Sequence, residues 1–224
     1  MKKSKKKVKA MCALIILIIF YLIIVNSPLN YTFEENSSGY TVTGQRIWFP
    51  FILVPNGYNS EKVTIVGAGA FEWNEILIAY IPDSVVLIED GAFANNKKMF
   101  YVYIGNSVEK IGVDAFAYCT RLKNVRMSSK IKNIDNLAFE ECYKLKGLDF
   151  PEGLIRIGAC AFTGCDFTEI CFPESLLEIG DKAFKNCNKL SDVSFKSTNT
   201  IYSENTFEGT LWYEQVYYDA LISK

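Results

Sequence analysis

The chain has 224 residues, is 50% hydrophobic and 14% aromatic, and therefore has neither a disordered nor a collagen-like composition. It contains no histidine, which excludes a Ser-His-Asp triad, a Cys-His dyad and any histidine-ligated metal site, while carboxylate or lysine catalysis stays open. Six lysines lie within the first nine residues, and the rest of the chain carries 18 basic and 25 acidic residues, a net charge of −7. That balance argues against nucleic acid as a partner.

The N-terminus predicts a membrane segment. Residues 1–9 are rich in lysine, and sixteen uncharged residues follow at 10–25, which is the pattern of an export signal. A helix of that length rises about 24 Å, slightly less than the roughly 30 Å of a bilayer core, and snorkelling lysines would close the gap. A cleaved signal would leave a secreted protein. Because the segment ends without Ala-x-Ala spacing, we expect an uncleaved anchor over 10–27, with residues 1–9 cytoplasmic and the remainder outside the cell.

A repeat occupies residues 63–210, after a linker and N-terminal β cap at 28–62. A phenylalanine preceded by alanine or threonine recurs seven times, every 22 or 23 residues, at Phe71, Phe93, Phe116, Phe139, Phe162, Phe184 and Phe207. An aliphatic residue stands five positions before six of these, often followed by glycine, and an asparagine, cysteine or threonine stands three positions after each. The next part of each unit reads close to L-x-x-V-x-F and alternates like a short strand. Seven such units predict a β-rich repeat solenoid, in which stacked copies share one apolar core.

These columns resemble the BspA-type leucine-rich repeat family, whose units read close to L-x-x-I-x-L-P-x-S-L-x-x-I-G-x-x-A-F-x-x-C. The flanks fit as well. The stretch from Tyr31 to Gly44 looks like two strands around a turn at Asn36–Gly39, and residues 211–224 resemble a closing cap. That cap would cover the last repeat with four apolar or aromatic residues, Trp212, Tyr213, Val216 and Tyr217. The resemblance implies a surface or secreted protein, since family members typically are such proteins, and some of them engage host or matrix proteins.

Four of the seven cysteines occupy one repeat position: Cys119, Cys142, Cys165 and Cys187. We interpret them as small buried packing groups, with asparagine in the same role at Asn74 and Asn96. Disulfides between adjacent rows remain the alternative, because neighbouring rows bring Cα atoms into bonding range. A linear column cannot converge on zinc, and no cofactor is expected. Cys160 and Cys171 fall outside the column and are expected to be free thiols.

The outward positions of the strand-like runs form the candidate binding site. The first two rows are apolar or aromatic there, and the third is basic; the candidate residues are Leu77, Ile78, Tyr80, Phe100, Tyr101, Tyr103, Lys123 and Arg126. Aromatic residues grouped with arginine are typical of interface hot spots. In the alternative interpretation, the N-terminal segment folds over these rows and buries them.

We therefore expect a monomeric, non-enzymatic, membrane-anchored surface protein that binds an extracellular, host or matrix protein. The alternatives are an inert structural spacer and a carbohydrate-binding repeat protein. The sequons at Asn30 and Asn36 matter only if the source glycosylates such sites.

Overall fold

The computed structural model describes residues 27–46 and 49–222. The lysine-rich segment 1–9 and the predicted anchor, apart from Ser27, lie outside these residues. Within the described ranges, no helix is both long and apolar enough to cross a membrane.

Short strands dominate the described chain, and one α-helix closes it. In chain order the elements are a 3-10 helix (Pro28–Asn30), β1 (Tyr31–Asn36), β2 (Gly39–Gln45), β3 (Phe51–Leu53), β4 (Gly57–Tyr58), β5 (Glu61–Val66), β6 (Ile78–Ile81), β7 (Leu87–Ile88), β8 (Tyr101–Ile104), β9 (Lys110–Ile111), β10 (Asn124–Arg126), β11 (Asn133–Ile134), β12 (Arg156–Ile157), β13 (Glu169–Phe172), β14 (Glu178–Ile179), β15 (Asp192–Phe195), β16 (Ile201–Tyr202) and α1 (Leu211–Ile222).

One side of the molecule is a continuous ten-stranded sheet, here called the short-strand sheet. Its order is β1-β2-β5-β7-β9-β11-β12-β14-β16, with β4 paired to β5. The repeat strands pair in parallel and in register, so that Ile111 lies beside Ile134 and Ile134 beside Ile157. The predicted hairpin is confirmed, because β1 and β2 are antiparallel and Asn36 pairs with Gly39.

The L-x-x-V-x-F runs form a second side, which is interrupted. β3, β6, β8 and β10 make one parallel sheet, and β13 pairs with β15 in another. We call these two sheets the long-strand sheets, and each run of this kind a long row. The fourth run, residues 145–150, is not a strand, so the prediction that every run is strand-like is wrong there. Its letters, Leu-Lys-Gly-Leu-Asp-Phe, contain no β-branched residue and include a central Gly147 and an Asp149, which disfavour strands.

The predicted column of phenylalanines forms the core. All seven are buried, and their rings stack at centroid distances of 5.1, 5.2, 5.1, 5.3, 5.2 and 5.5 Å from the first to the last. Backbone hydrogen bonds also join the turns that carry these phenylalanines in successive repeats. The amide of Phe116, for example, donates to the Ala138 carbonyl one repeat later at 2.8 Å. The predicted solenoid is therefore confirmed, since like residues stack on like throughout the repeats.

The cysteine column is buried and reduced. Each repeat thiol donates to the carbonyl of the phenylalanine one repeat earlier, from Cys119 to Phe93 at 3.3 Å through to Cys187 and Phe162 at 3.2 Å. The Asn96 side chain fills the same position by donating to the Phe71 and Phe93 carbonyls at 2.8 and 2.7 Å. Burial raises the pKa of the Cys119 and Cys187 thiols to about 12. These thiols act as packing groups and hydrogen-bond donors, as interpreted, and are not bridged.

Left-handed backbone occurs on both sides of the repeat phenylalanines. Gly69 and Gly91 adopt it two residues before Phe71 and Phe93, with φ of 60° and 63°. Leu137 and Cys160 adopt it at the same position of later repeats, with φ of 59° and 55°. The turn therefore imposes this conformation even where the residue is not glycine.

The C-terminal helix α1 covers the last repeat. The Trp212 ring lies 4.9 Å from that of Phe207, and its backbone amide donates to the Leu190 carbonyl at 2.9 Å. Tyr213 also packs against the core. Val216 is exposed, because it lies on the solvent side of the helix, so its predicted role in the cap is wrong. The side chain of Tyr217 lies outside the described part of the structure.

Candidate functional site

The first sheet of long strands gathers the predicted site residues on its outward surface, here called the strand face. Register places Leu53, Tyr80, Tyr103 and Arg126 side by side on β3, β6, β8 and β10. The alternate positions, such as Ala79 and Val102, point inward and are buried. Period-two alternation thus presents every second residue of each strand to one surface.

Tyr80 and Tyr103 form a stacked pair that Arg126 extends. The two rings lie 4.6 Å apart and are inclined by 13°, and the Arg126 guanidinium carbon lies 4.7 Å from the Tyr103 ring centroid. Arg126 Nη1 also donates to the Ile104 carbonyl at 3.2 Å and to Asn106 Oδ1 at 2.7 Å. We call these three side chains the tyrosine ladder. The contacts hold the guanidinium in place, so little side-chain freedom remains to be lost on binding.

The Tyr80 hydroxyl remains a protonated donor at neutral pH. Partial burial raises the pKa of Tyr80 above its ordinary value, and the neighbouring Tyr103 and Asp83 act in the same direction. Tyr80 is nevertheless 39% exposed, so its edge and hydroxyl reach solvent. Because Arg126 and Tyr80 both lie against the Tyr103 ring, Tyr103 offers its edge and hydroxyl rather than a flat platform for a sugar ring.

The other predicted residues lie in two columns beside the ladder. The amide of Phe100 donates to Leu77 and that of Lys123 to Phe100, at 3.0 and 3.1 Å, so these three form one column. Ile78 and Tyr101 pair directly in the second. Phe100 is 45% exposed and Lys123 is exposed, whereas Leu77, Ile78 and Tyr101 are half-buried. The structure therefore brings all eight residues onto one surface.

The N-terminal segment lies beside this surface. β3 adds a strand next to β6 at the sheet edge, and the hairpin β1–β2 belongs to the short-strand sheet. β3 thus extends the strand face, and Tyr80 and Phe100 stay exposed, contrary to the covered-face interpretation. Phe51 and Leu53 were not among the predicted site residues, although the apolar run Phe-Ile-Leu-Val at 51–54 is a visible strand signal.

The interrupted fourth row leaves a depression that the sequence did not predict. It has a volume of about 500 Å³ and lies between the two long-strand sheets. Lys146, Asp149, Glu169 and Lys196 are among its lining residues. Within residues 27–46 and 49–222, no group of three or more histidine, cysteine, aspartate or glutamate side chains is arranged to hold a metal ion.

The two cysteines outside the column differ in exposure. Cys171 is exposed and lines this depression, whereas Cys160 is half-buried on its left-handed turn. Neither forms a disulfide within the described part of the chain.

Parallel short strands, stacked phenylalanines and a second row of longer strands define a leucine-rich repeat solenoid. The family model for the BspA type leucine-rich repeat region matches residues 58–146 and 110–224, which together are more than half of the chain. The chain belongs to this family.

Solved structures show the same fold. A leucine-rich repeat protein of T. pallidum is 24% identical over 74% of this chain and 69% of its own, with a TM-score of 0.57. A leucine-rich cell surface protein of Faecalibacterium prausnitzii is 25% identical over 75% of this chain and 54% of its own, with a TM-score of 0.54. The pneumococcal vaccine antigen PcpA is 22% identical over 75% of this chain and 48% of its own, with a TM-score of 0.63. This chain therefore spans about half the length of the last two. No curated protein matches the sequence significantly.

Proposed function

We propose that this chain is a non-enzymatic protein-binding module displayed on the cell surface, and that it binds its partner through the strand face. The observation that carries the proposal is the tyrosine ladder, where two partly exposed tyrosines and an ordered arginine share one surface with the exposed Phe100. Tyrosine and arginine are, with tryptophan, the residues enriched at binding hot spots.

Surface display is supported by two features. The similar protein of Faecalibacterium prausnitzii is described as a leucine-rich cell surface protein. In this chain, lysines at 1–9 and an uncharged apolar run at 10–25 precede the solenoid, which favours a single-pass anchor with the repeats outside. Intact-mass analysis of the protein from its native membrane tests the anchor: a mass that includes residues 1–27 is expected, and a mature N-terminus after residue 25 would contradict anchoring and favour secretion.

The binding experiment uses the full-length chain, immobilised and exposed to a panel of extracellular-matrix and surface proteins. A double variant, Tyr80→Ser with Tyr103→Ser, is expected to weaken binding of the captured partner by about tenfold or more, because aromatic anchors dominate interface energies. The matched control is Ser191→Ala with Ser194→Ala, at outward positions of the last long row, and it should bind like the wild type.

Circular dichroism verifies that each variant keeps the solenoid. If the two double variants bind equally well, the strand face is not the binding surface. If no member of the panel is captured, a structural spacer is the better description.

A further inference from the structure

Two successive rows beside the tyrosine ladder carry an excess of positive charge. Arg121 and Lys123 flank Leu122 in the third repeat, and Lys144 and Lys146 flank Leu145 in the fourth. All four side chains are exposed. We call this set the basic rows. Equivalent positions of successive repeats stack, so the four cations form a compact cluster.

Charges at the same corner of the neighbouring repeats are neutralised. Lys98 pairs with Glu75 at 2.8 Å on one side, and Lys189 pairs with Asp166 at 2.8 Å on the other. Within the described residues, none of the four cations of the basic rows has such a partner. Four like charges therefore stand together between two neutralised rows.

The cluster differs from its surroundings in charge and adjoins apolar surface. Without the six lysines at the N-terminus, the chain has a net charge of −7, so the basic rows are a positive patch on an acidic body. Phe100 precedes Lys123 in one column, its carbonyl accepting the Lys123 amide at 3.1 Å, and Tyr103 lies under Arg126. A ligand that covers this surface meets cations and exposed aromatic edges together.

We infer that the contacting part of the partner is an acidic protein segment that also carries apolar or aromatic side chains. The inference rests on the proposed function and specifies its partner. Carboxylates match the four unpaired cations, and apolar side chains match Phe100 and the ladder edges. A polymer that is only anionic pairs with the four cations but makes no apolar contact with Phe100 and the ladder edges.

The experiment uses the full-length chain and three defined probes: a random copolymer of glutamate and tyrosine, polyglutamate, and heparin. At about 0.05 M salt, where the Debye length exceeds 10 Å, the copolymer is expected to bind more tightly than the other two probes. Raising the salt to about 0.5 M should weaken binding, because exposed charges are then screened. Tighter binding of heparin would overturn the inference in favour of a sulfated polysaccharide, and so would a failure of the copolymer to bind.

A double substitution that reverses two charges tests whether the basic rows are the binding site. Lys123→Glu with Lys146→Glu should weaken copolymer binding by about fivefold or more, with the loss mainly in the association rate. The control, Lys62→Glu with Lys130→Glu, makes the same change in net charge at two exposed lysines that belong to neither of the long-strand sheets. Equal effects of the two pairs would mean that only net charge matters, and would overturn the site.

The proposed function and the inferred acidic partner can fail independently in these experiments. If the tyrosine variant loses the captured partner while the Lys123/Lys146 variant keeps it, the strand face binds but the acidic-segment inference fails. If both variants lose the partner and the Lys62/Lys130 control keeps it, both proposals are supported.

Discussion

Replacement of Phe139 by alanine removes the centre of the stacked column. The ring is fully buried and lies 5.1 Å from Phe116 and 5.3 Å from Phe162. A buried phenylalanine removes about 150–250 Å² from water, which at about 25 cal/mol per Å² corresponds to about 4–6 kcal/mol. Alanine retains the Cβ and the neighbours relax only partly, so we expect a loss of about 3–5 kcal/mol in the free energy of unfolding.

The assay is urea unfolding of the full-length chain followed by far-ultraviolet circular dichroism. The free-energy difference is obtained from the midpoints and the slopes. The control is Tyr143→Ala, four residues further along the same repeat, where the side chain is 49% exposed and the expected change is about 0.5 kcal/mol or less. A loss below about 1 kcal/mol for Phe139→Ala would show that the stacked rings are not the stabilising core.

Two further predictions concern the thiol column and the glycines. Because burial raises the pKa of Cys119 to about 12, the unfolded chain loses this proton first as the pH rises. Stability should be unaffected by this thiol below about pH 8.5, and above it this thiol should lower stability by up to about 1.4 kcal/mol per pH unit. Burial raises the pKa of the other column thiols as well, so Cys119→Ala should lessen the total slope by about this one share when unfolding is measured between about pH 9 and 11. An unchanged slope would contradict the raised pKa. At Gly158 a Cβ would lie 2.4 Å from the Asn136 amide nitrogen, so Gly158→Ala should lose about 1–3 kcal/mol in thermal or urea unfolding. At Gly147 nothing lies within 4 Å, and Gly147→Ala should be neutral or stabilise by about 0.4–1 kcal/mol; similar results for both would refute the close approach.

The repeat core was predictable because its signal is redundant. Seven phenylalanines at nearly constant spacing, with aliphatic columns in the same register, allow one stacking arrangement, and the stacked rings follow from it. The stacking of Tyr80 on Tyr103 was implicit as well, because the two residues occupy the same position of adjacent repeats. The surface they form was therefore predictable from register, while its affinity for a partner was not.

Other features depend on interactions that a repeat pattern does not encode. The fourth long row keeps its inward residues, Leu148 and Phe150, packed against the core, so periodicity alone predicted a strand. The low strand propensity of Lys146–Phe150 contradicted the periodic pattern, and these residues do not form a strand. Leu137 and Cys160 take left-handed backbone because their neighbours in the stack impose the turn, and neither residue type would predict it.

The gap in the long-strand side has a mechanical consequence for the solenoid. Along most of the stack, neighbouring rows are joined by the short-strand sheet, by the turn bonds around the phenylalanines and by the long-strand sheet. Between β10 and β13 the third set of bonds is missing, while the short-strand pairing of β11 with β12 continues. A pulling force along the solenoid is therefore shared by fewer bonds at this row than elsewhere, so we expect the stack to yield first there, beside the basic rows.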